Sequence, residues 1–382
     1  MNTDKNKAVF YALVRAGLWE RDVELREYGA IDFSEILRLA EEQSVVGLVT
    51  AGLEHVTDIK VPQTIVYQYI GRTLHILQRN RAMNVFVAEL IERLRKANIY
   101  AILVKGQGVA QCYERPLWRS SGDVDLLLSE DCYEKAKRLL IPLAASVEQE
   151  FVFLKHIGMS ISGWEVELHG TLRPRLSKRI DREVDNIMGN VFGGGKVRSW
   201  MVRSSSRDVQ IFLPAPDEDV VFVFTHILHH YYQEGIGLRQ ICDWCRLLWT
   251  YRSEVNPQLL EIRLREMGLL TEWRAFGSYA VEYLGMRVEV MQLCDLRLIG
   301  QDSRLSKKAK RIDDFVMEVG NFGHNRMVNS SKNKMNSFIA RKAISFWHRT
   351  VDSFRHFATF PKNSVKIWWY MVITGFKVVR GE

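Results

Sequence analysis

Two aspartates, Asp123 and Asp125, lie two residues apart at the start of a strongly apolar segment, GDVDLLL. The apolar residues predict a buried β-strand. Because side chains alternate along a strand, both carboxylates point to the same face, roughly 7 Å apart along it. Two like charges at this separation are costly unless a cation lies between them. Oxygen ligands suit Mg²⁺ or Mn²⁺, so the pair predicts a divalent-cation site.

A second pattern, just upstream, predicts a phosphate-binding turn. The apolar run Ile99–Val104 predicts a strand, and Lys105, Gly106 and Gly108 follow it before an expected helix. Backbone N–H groups at a helix N-terminus can hold phosphate. A phosphate-binding turn next to a cation site indicates phosphoryl or nucleotidyl transfer. The alternative is a solvated acidic turn in an α/β domain.

The order of these residues resembles the uncharacterised nucleotidyltransferases of the DNA polymerase β-type superfamily. The features that match are the strand, the KG turn, the helix, Tyr113, Arg119, GDVDLLL, VELHG at 166–170 and the helical stretch 215–249. The resemblance covers about residues 30–250, and its specific motifs fall in the central third. It implies an α+β fold with a nucleotidyltransferase-like mixed β-sheet core, flanked by N-terminal and C-terminal helical regions.

A third carboxylate is expected on a neighbouring strand, because a site for two cations needs about three carboxylates. In EVELH at 165–169, the strand period puts Glu165, Glu167 and His169 on one face. The resemblance selects Glu167, since the acid of the family lies two residues before the His, although family members often have Asp there. It implies a catalytic, metal-binding set of Asp123, Asp125 and Glu167 that holds Mg²⁺ or Mn²⁺. The alternative is that both glutamates form the solvated face of a hairpin.

The resemblance also implies the residues that bind an NTP. Lys105, Gly106, Gln107 and Gly108 align with the turn that holds the triphosphate, where many relatives have Gly-Ser. This chain has no hydroxyl in the turn, so backbone amides and the Lys105 ammonium must suffice. Arg119 is expected to bind phosphate or brace the aspartates, since its planar fork suits both tasks. A surface salt bridge is the alternative role of Arg119.

The helical stretch after the core contributes further candidates, because the resemblance implies that it packs over the nucleotide cleft. Arg239 is the nucleotide-binding candidate there. The alternative is that Arg239 and Asp243, at i, i+4, form only a helix pair. His226 and His230 have the i, i+4 spacing of metal ligands, but without a third ligand at a recognisable spacing a core or interdomain histidine is favoured. The second-tier site candidates of the whole chain are His156, His169, His226 and Asp243.

Four regions are predicted along the chain: an N-terminal helical region (1–96), a catalytic core (97–214), a helical lobe (215–300) and a basic, aromatic helical region (301–382). Within the core, a hairpin is expected to turn near Ser162 and Gly163. Asp217 is expected to be the N-cap of the first helix of the lobe.

The positive charge of the chain is concentrated near its C-terminal end. The net charge is +8, and residues 321–382 hold eleven Lys and Arg against two acids. This region ends in an aromatic segment containing IWWYM. It is expected to lie on an anionic membrane surface as an interfacial helix, to hold single-stranded nucleic acid, or to pack on the core.

Composition narrows the class of protein. Five cysteines in 382 residues do not form a disulfide framework, and Cys242 and Cys245 are expected to be buried thiols inside a helix. No signal peptide and no membrane span is expected, so we expect the protein in the cytoplasm or at the membrane periphery.

The predicted function is transfer of a nucleoside monophosphate from an NTP to an unidentified hydroxyl or phosphate on RNA, protein or glycan. The alternative is an inactive, basic module that binds membrane or nucleic acid.

Overall fold

The computed structural model describes residues 2–294, 304–321 and 350–380. Its contacts divide the chain into two compact units. The first unit comprises Met1–Leu37, Val45–Arg173 and Val184–Phe222. The second unit comprises Arg38–Ser44, Pro174–Glu183 and Val223–Glu382. Much of the basic C-terminal region, residues 322–349, lies outside the described residues, as do residues 295–303.

Four helices precede the sheet: α1 (Asn2–Trp19), α2 (Phe33–Glu42), α3 (Val46–Glu54) and α4 (Gln63–Lys96). Helices α1 and α3 approach each other too closely for any side chain at two crossing points. A Cβ at Gly17 would lie 1.9 Å from the carbonyl oxygen of Leu48, and one at Gly52 would lie 2.1 Å from that of Leu13. Glycine is therefore required at both positions by packing.

The first unit is built on a seven-stranded mixed sheet in the order β3-β4-β5-β2-β1-β7-β6. The strands are β1 (Ala101–Val104), β2 (Val124–Leu128), β3 (Ser146–Val147), β4 (His156–Ile161), β5 (Trp164–His169), β6 (Val197–Arg203) and β7 (Asp208–Pro214). The pairs β2–β5 and β1–β7 are parallel, and the other neighbours are antiparallel. Three helices are interspersed: α5 (Gly106–Ala110), α6 (Glu130–Leu140) and α7 (Lys178–Phe192). Together these elements confirm the predicted α+β class.

The predicted hairpin joins β4 to β5 at the expected turn. Ser162 and Gly163 both have positive φ, 52° and 80°, as the two central residues of a type I′ turn require. The turn fixes the register in which Met159 faces Val166 and His156 faces His169. This register decides which side chains of the hairpin can form a site.

The core of the first unit lies between the sheet and two helices. Helix α4 contributes Met83, Val87, Ile91 and Leu94, and α6 contributes Tyr133, Ala136 and Leu140. All five residues of β2 are buried, as are all four of β1. Burial on both faces matches the apolar sequence of β1 and that of β2, which Asp125 alone interrupts.

In the second unit, the helices are α8 (Pro216–Gln233, which begins in the first unit), α9 (Leu238–Thr250), α10 (Pro257–Met267), α11 (Leu270–Glu282), α12 (Arg304–Val319), a helical stretch over 350–359, and α13 (Pro361–Arg380). An aromatic core forms around Phe224, whose ring contacts those of Trp244, Trp273 and Phe276 at centroid distances of 4.9–6.0 Å. Burial raises the pKa of the Cys242 thiol, which lies inside α9 as predicted.

The prediction that Asp217 is an N-cap is wrong. Helix α8 begins one residue earlier, at Pro216, because the fixed φ of proline suits the first helical position and its missing N–H would have no partner there. Asp217 instead lies in the first helical turn, where a negative charge still complements the helix dipole. The short strand β3 was not predicted either, since its two residues, Ser146 and Val147, are too few to show a strand period.

The described part of α13 combines buried and exposed apolar side chains. Ile367 is buried, whereas Trp369 and Ile373 are 59% and 44% exposed. The Tyr370 hydroxyl donates a hydrogen bond to Asp181 (3.0 Å). None of the helices within the described ranges is both long and apolar enough to cross a membrane.

Candidate metal and nucleotide site

Strand register brings Asp125 and Glu167 side by side. They are direct Cα partners in the parallel pairing of β2 with β5. Asp123 precedes β2 by one residue, and period two turns its side chain to the face of Asp125. One oxygen from each of Asp123, Asp125 and Glu167 lies within 4.8 Å of the others. The three carboxylates that the sequence singled out are thus close enough to share a cation.

The Lys105 ammonium lies inside this carboxylate cluster. Its Nζ is 2.6 Å from Asp125 Oδ1, and its side chain keeps 20% of its exposure while that of Asp125 keeps 2%. Val104 and Asp125 are Cα partners in the β1–β2 pairing, so the residue after β1 reaches the middle of β2. The Lys105 ammonium therefore neutralises part of the negative charge of the aspartates.

The backbone of Lys105 is strained. Its φ of 57° and ψ of −149° belong to a region that is adopted almost solely by glycine and that costs about 1–3 kcal/mol for other residues. Gly106 follows with a φ of 41°. Such strain persists where the surroundings hold a residue in place, and it concentrates at functional sites.

Two histidines complete the cluster. His169 Nε2 lies 2.8 Å from Asp125 Oδ1 and 3.3 Å from Glu167 Oε2. His156 Nε2 lies 3.2 Å from the same Glu167 oxygen. Both histidines are second-tier candidates in the sequence. They lie side by side because His156 and His169 are Cα partners in the antiparallel β4–β5 pairing.

Opposing charges shift the pKa values of these groups. Burial alone would lower the pKa of Lys105, but the carboxylates of Asp125, Glu167 and Asp123 outweigh burial and raise it. Burial would likewise lower the pKa of His169, but hydrogen bonds with Asp125 and Glu167 raise it. Burial opposes ionisation of Glu167, yet His156, His169 and Lys105 hold its pKa well below the usual range. At neutral pH the cluster thus holds an ionised Glu167 facing the Lys105 cation.

The turn after Lys105 leads into a helix of only five residues, α5. The N–H groups of Gly106, Gln107 and Gly108 occupy the first turn, where helix geometry provides no acceptor. The Gln107 side chain is buried and donates to Asn80 Oδ1 (3.1 Å). This turn can therefore offer backbone amides to an anion, whereas the Gln107 side chain serves packing.

Asn80 of α4 holds the loop that leads to the aspartates, a role that sequence reasoning missed. Its Nδ2 donates to the carbonyl oxygens of Leu117 (2.8 Å) and Arg119 (2.7 Å). Its Oδ1 accepts hydrogen bonds from Gln107 and Ser121. The sequence does contain a sign of this role, because Asn80 is a polar residue on the apolar stripe that continues through the buried Met83 and Val87.

The side chain of Arg119 is buried and donates from Nη1 to the carbonyl oxygen of Ser120 (3.1 Å). It also lines a small cavity with Glu20 and Trp118. Its role in binding phosphate or bracing the aspartates stays a prediction.

The remaining candidates, His226, Arg239 and Asp243, belong to the second unit. His226 and His230 share a helix face as predicted, with their Nε2 atoms 3.0 Å apart. His230 Nδ1 lies 3.1 Å from Glu234. The preference for core or interdomain histidines over metal ligands, and the roles of Arg239 and Asp243, stay predictions.

Comparison with known proteins supports the same class. A family model described as uncharacterised nucleotidyltransferase matches residues 29–285, more than half of the chain. No curated protein matches the chain. No solved structure matches it either.

Proposed function

Since the chain belongs to the uncharacterised nucleotidyltransferase family, we propose that it transfers a nucleoside monophosphate from an NTP to an acceptor hydroxyl or phosphate. The observation that carries this proposal is the convergence of Asp123, Asp125 and Glu167 within 4.8 Å. Three carboxylates so close together are costly without cations. A structural role alone would not require all three.

The carboxylates fit Mg²⁺ or Mn²⁺, because all three donors are oxygens. Asp123, Asp125 and Glu167 would hold the ions. When bound, such ions stabilise the attacking and departing oxygens of an in-line displacement. Without ions, the His169–Asp125 hydrogen bond of 2.8 Å orients the Asp125 carboxylate. The parallel pairing of β2 with β5 fixes its distance from Glu167.

Lys105 is proposed to bind the triphosphate together with the amides of Gly106, Gln107 and Gly108. Its raised pKa keeps the ammonium charged at neutral pH. The strained backbone presents it at the end of β1, next to the amides of the following turn. An ammonium and backbone amides together form an anion site of the kind that nucleotide phosphates occupy.

The rival function is an inactive, nucleotidyltransferase-like module. The absence of a hydroxyl in the turn and the Glu at 167 favour this rival. The strain at Lys105 favours activity, because a chain released from catalysis would gain about 1–3 kcal/mol by relaxing it. We therefore propose an active enzyme, and we leave its acceptor open among RNA ends, proteins and glycans.

The decisive experiment supplies each of the four NTPs, labelled at either the α- or the γ-phosphate, with Mg²⁺ or Mn²⁺ and a cell extract. Nucleotidyl transfer leaves the α-label on a macromolecule and releases the γ-label in pyrophosphate. Sensitivity of the product to ribonuclease, protease or glycosidase then identifies the acceptor class. Asp125→Asn should abolish labelling, whereas Asp208→Asn, at an exposed position, should not. Transfer of the γ-label would indicate a kinase, and no transfer of either label would favour the inactive module.

A surface on α13 is a separate candidate for partner binding. Val365, Trp369 and Ile373 are exposed, and they recur at four-residue spacing beside the exposed Lys362 and Lys366. Apolar and basic side chains on one helix face suit an anionic membrane surface. We propose that this face attaches the protein to such a surface.

A further inference from the structure

Two histidines and Glu167 form a second cluster next to the aspartates. His156 and His169 face each other across β4 and β5, with ring centroids 4.8 Å apart. Their Nε2 atoms approach the same oxygen, Glu167 Oε2, at 3.2 Å and 3.3 Å. One ligand atom from each of the three residues lies within 4.8 Å of the others, which is close enough to share an ion.

These separations match those around a four-coordinate metal ion. Zn²⁺ binds His nitrogen and carboxylate oxygen at about 2.0–2.2 Å in tetrahedral geometry, which places neighbouring ligand atoms about 3.3 Å apart. The two observed distances to Glu167 Oε2, 3.2 Å and 3.3 Å, agree with this value. Three protein ligands also leave a fourth position for water or substrate, as in catalytic zinc sites.

We propose that His156, Glu167 and His169 bind a second kind of divalent cation, one that prefers nitrogen ligands as Zn²⁺ does, and that Glu167 is shared with the site of Asp123 and Asp125. Imidazole suits Zn²⁺ and other transition metals, whereas Mg²⁺ takes oxygen ligands. A carboxylate has two oxygens and can serve two ions. The sheet thus carries a nitrogen-rich site and an oxygen-only site on adjacent strands.

The protein holds these ligands rigidly before any ion binds. His156 and His169 lie on paired strands, and rigid strands are more precise supports than loops. The ring of Phe151 stacks on that of His156 at 6.1 Å and 22°. His156 and Glu167 keep 22% and 32% of their side-chain exposure, which leaves a path for an ion to enter.

The competing explanation is that the histidines only hydrogen-bond to the carboxylates. In that explanation, His169 Nε2 hydrogen-bonds to Asp125 (2.8 Å) and His156 Nε2 hydrogen-bonds to Glu167 (3.2 Å). In the proposed site, His169 Nε2 exchanges its hydrogen bond with Asp125 for the bond to the ion. The two explanations differ in a property that can be measured without nucleotide. Only the metal site should bind a nitrogen-preferring ion tightly.

The test uses the metal-free, full-length protein and Co²⁺ as a coloured substitute for Zn²⁺. Four- or five-coordinate Co²⁺ should produce intense visible bands, and added Zn²⁺ should remove them. His156→Ala and His169→Ala should each weaken binding at least about 100-fold, since even the loss of an outer-shell partner costs 10–100-fold. His75→Ala, at an exposed histidine on α4, should leave the bands unchanged.

Asp123→Asn separates this inference from the proposed function. It should impair nucleotidyl transfer but keep the Co²⁺ bands, because Asp123 is not in the histidine cluster. Pale, six-coordinate Co²⁺ spectra that are insensitive to His156→Ala would overturn the second site while leaving the proposed transferase intact. His156 is partly exposed, so its alanine variant should fold even if the His169 variant does not, and circular dichroism checks this.

Discussion

Lys105 Nζ lies 2.6 Å from Asp125 Oδ1, at a position where a divalent cation would neutralise the same carboxylate. The ammonium therefore stabilises the metal-free fold, since removal of one partner from a buried ion pair costs about 3–5 kcal/mol. His169 still hydrogen-bonds to Asp125, which favours the lower end of that range. A bound ion must compete with Lys105 for Asp125.

Lys105→Met should therefore lower the melting temperature in the absence of metal, and Mg²⁺ should raise it more in the variant than in the wild type. The ion then supplies a charge that the variant lacks. Lys105→Gly should be less destabilised than Lys105→Met by about 1–3 kcal/mol, because glycine relieves the backbone strain. Thermal denaturation with and without Mg²⁺ measures both effects.

The control for this prediction is Lys96→Met, which removes an ammonium that is 75% exposed and pairs with Glu92 at 3.7 Å. Exposed pairs contribute about 0–1 kcal/mol, so its melting temperature should change little. Equal Mg²⁺ responses in the wild type and Lys105→Met would contradict the idea that the ammonium and the ion compete.

Asn80 should position the loop that carries Asp123. Asn80→Leu leaves the carbonyl oxygens of Leu117 and Arg119 without their donor, and each buried group left unpaired costs about 1–3 kcal/mol. We expect a lower free energy of unfolding and weaker Mg²⁺ binding, measured by urea denaturation and calorimetry.

A matched control exists one turn along the same helix. Among the residues that the structure describes, Asn84 Oδ1 is buried and has no hydrogen-bond partner, so Asn84→Leu should be neutral or stabilising. If Asn80→Leu and Asn84→Leu lowered the free energy of unfolding equally, the loss of stability in Asn80→Leu would reflect helix packing rather than the loop.

The chain shows which parts of a site local sequence can specify. The Ser162–Gly163 turn and the shared face of Asp123 and Asp125 follow from local rules, a type I′ turn and the strand period, and both were predictable. The pairing of Lys105 with Asp125 was not, because it depends on the register of β1 against β2. Asn80 was missed because its partners are also distant in sequence, 27–41 residues away.

A buried acid outside the site should give stability a pH dependence. Burial raises the pKa of Asp219 to about 6, although the Arg198 cation opposes this. Within the described ranges, one of its oxygens, Oδ1, has no hydrogen-bond partner. Because the folded-state pKa exceeds the unfolded value of 3.8, the folded state holds the proton more tightly. The resulting stabilisation is present below about pH 3.8 and is lost as the pH rises through about 6.

Asp219→Asn removes this dependence, because an amide does not titrate. Relative to the wild type, the variant should gain up to about 3 kcal/mol between about pH 4 and pH 7, from 1.36 kcal/mol per pKa unit. Urea denaturation of both proteins across this range measures the difference. Asp208→Asn, in an exposed pair with Arg203, should show no such gain. A wild-type stability that rises relative to Asp219→Asn over the same range would reverse the sign and refute the prediction.

The exposed face of α13 should mediate attachment to an anionic surface. Truncation is a poor test, because His356 and Phe360 are buried against Tyr231, and removing the C-terminal region would damage the core of the second unit. Trp369→Ser with Ile373→Ser changes only exposed side chains. The double variant should keep the wild-type melting temperature and lose sedimentation with vesicles that contain phosphatidylserine. The control Ile262→Ser changes an exposed apolar side chain of α10 and should still sediment with these vesicles.

Binding of the wild-type protein to vesicles should also fall with added salt, because salt screens Lys362 and Lys366. Neutral vesicles should bind the protein weakly. Salt-sensitive binding of single-stranded RNA, with no binding to vesicles, would instead assign the same basic and aromatic face to nucleic acid.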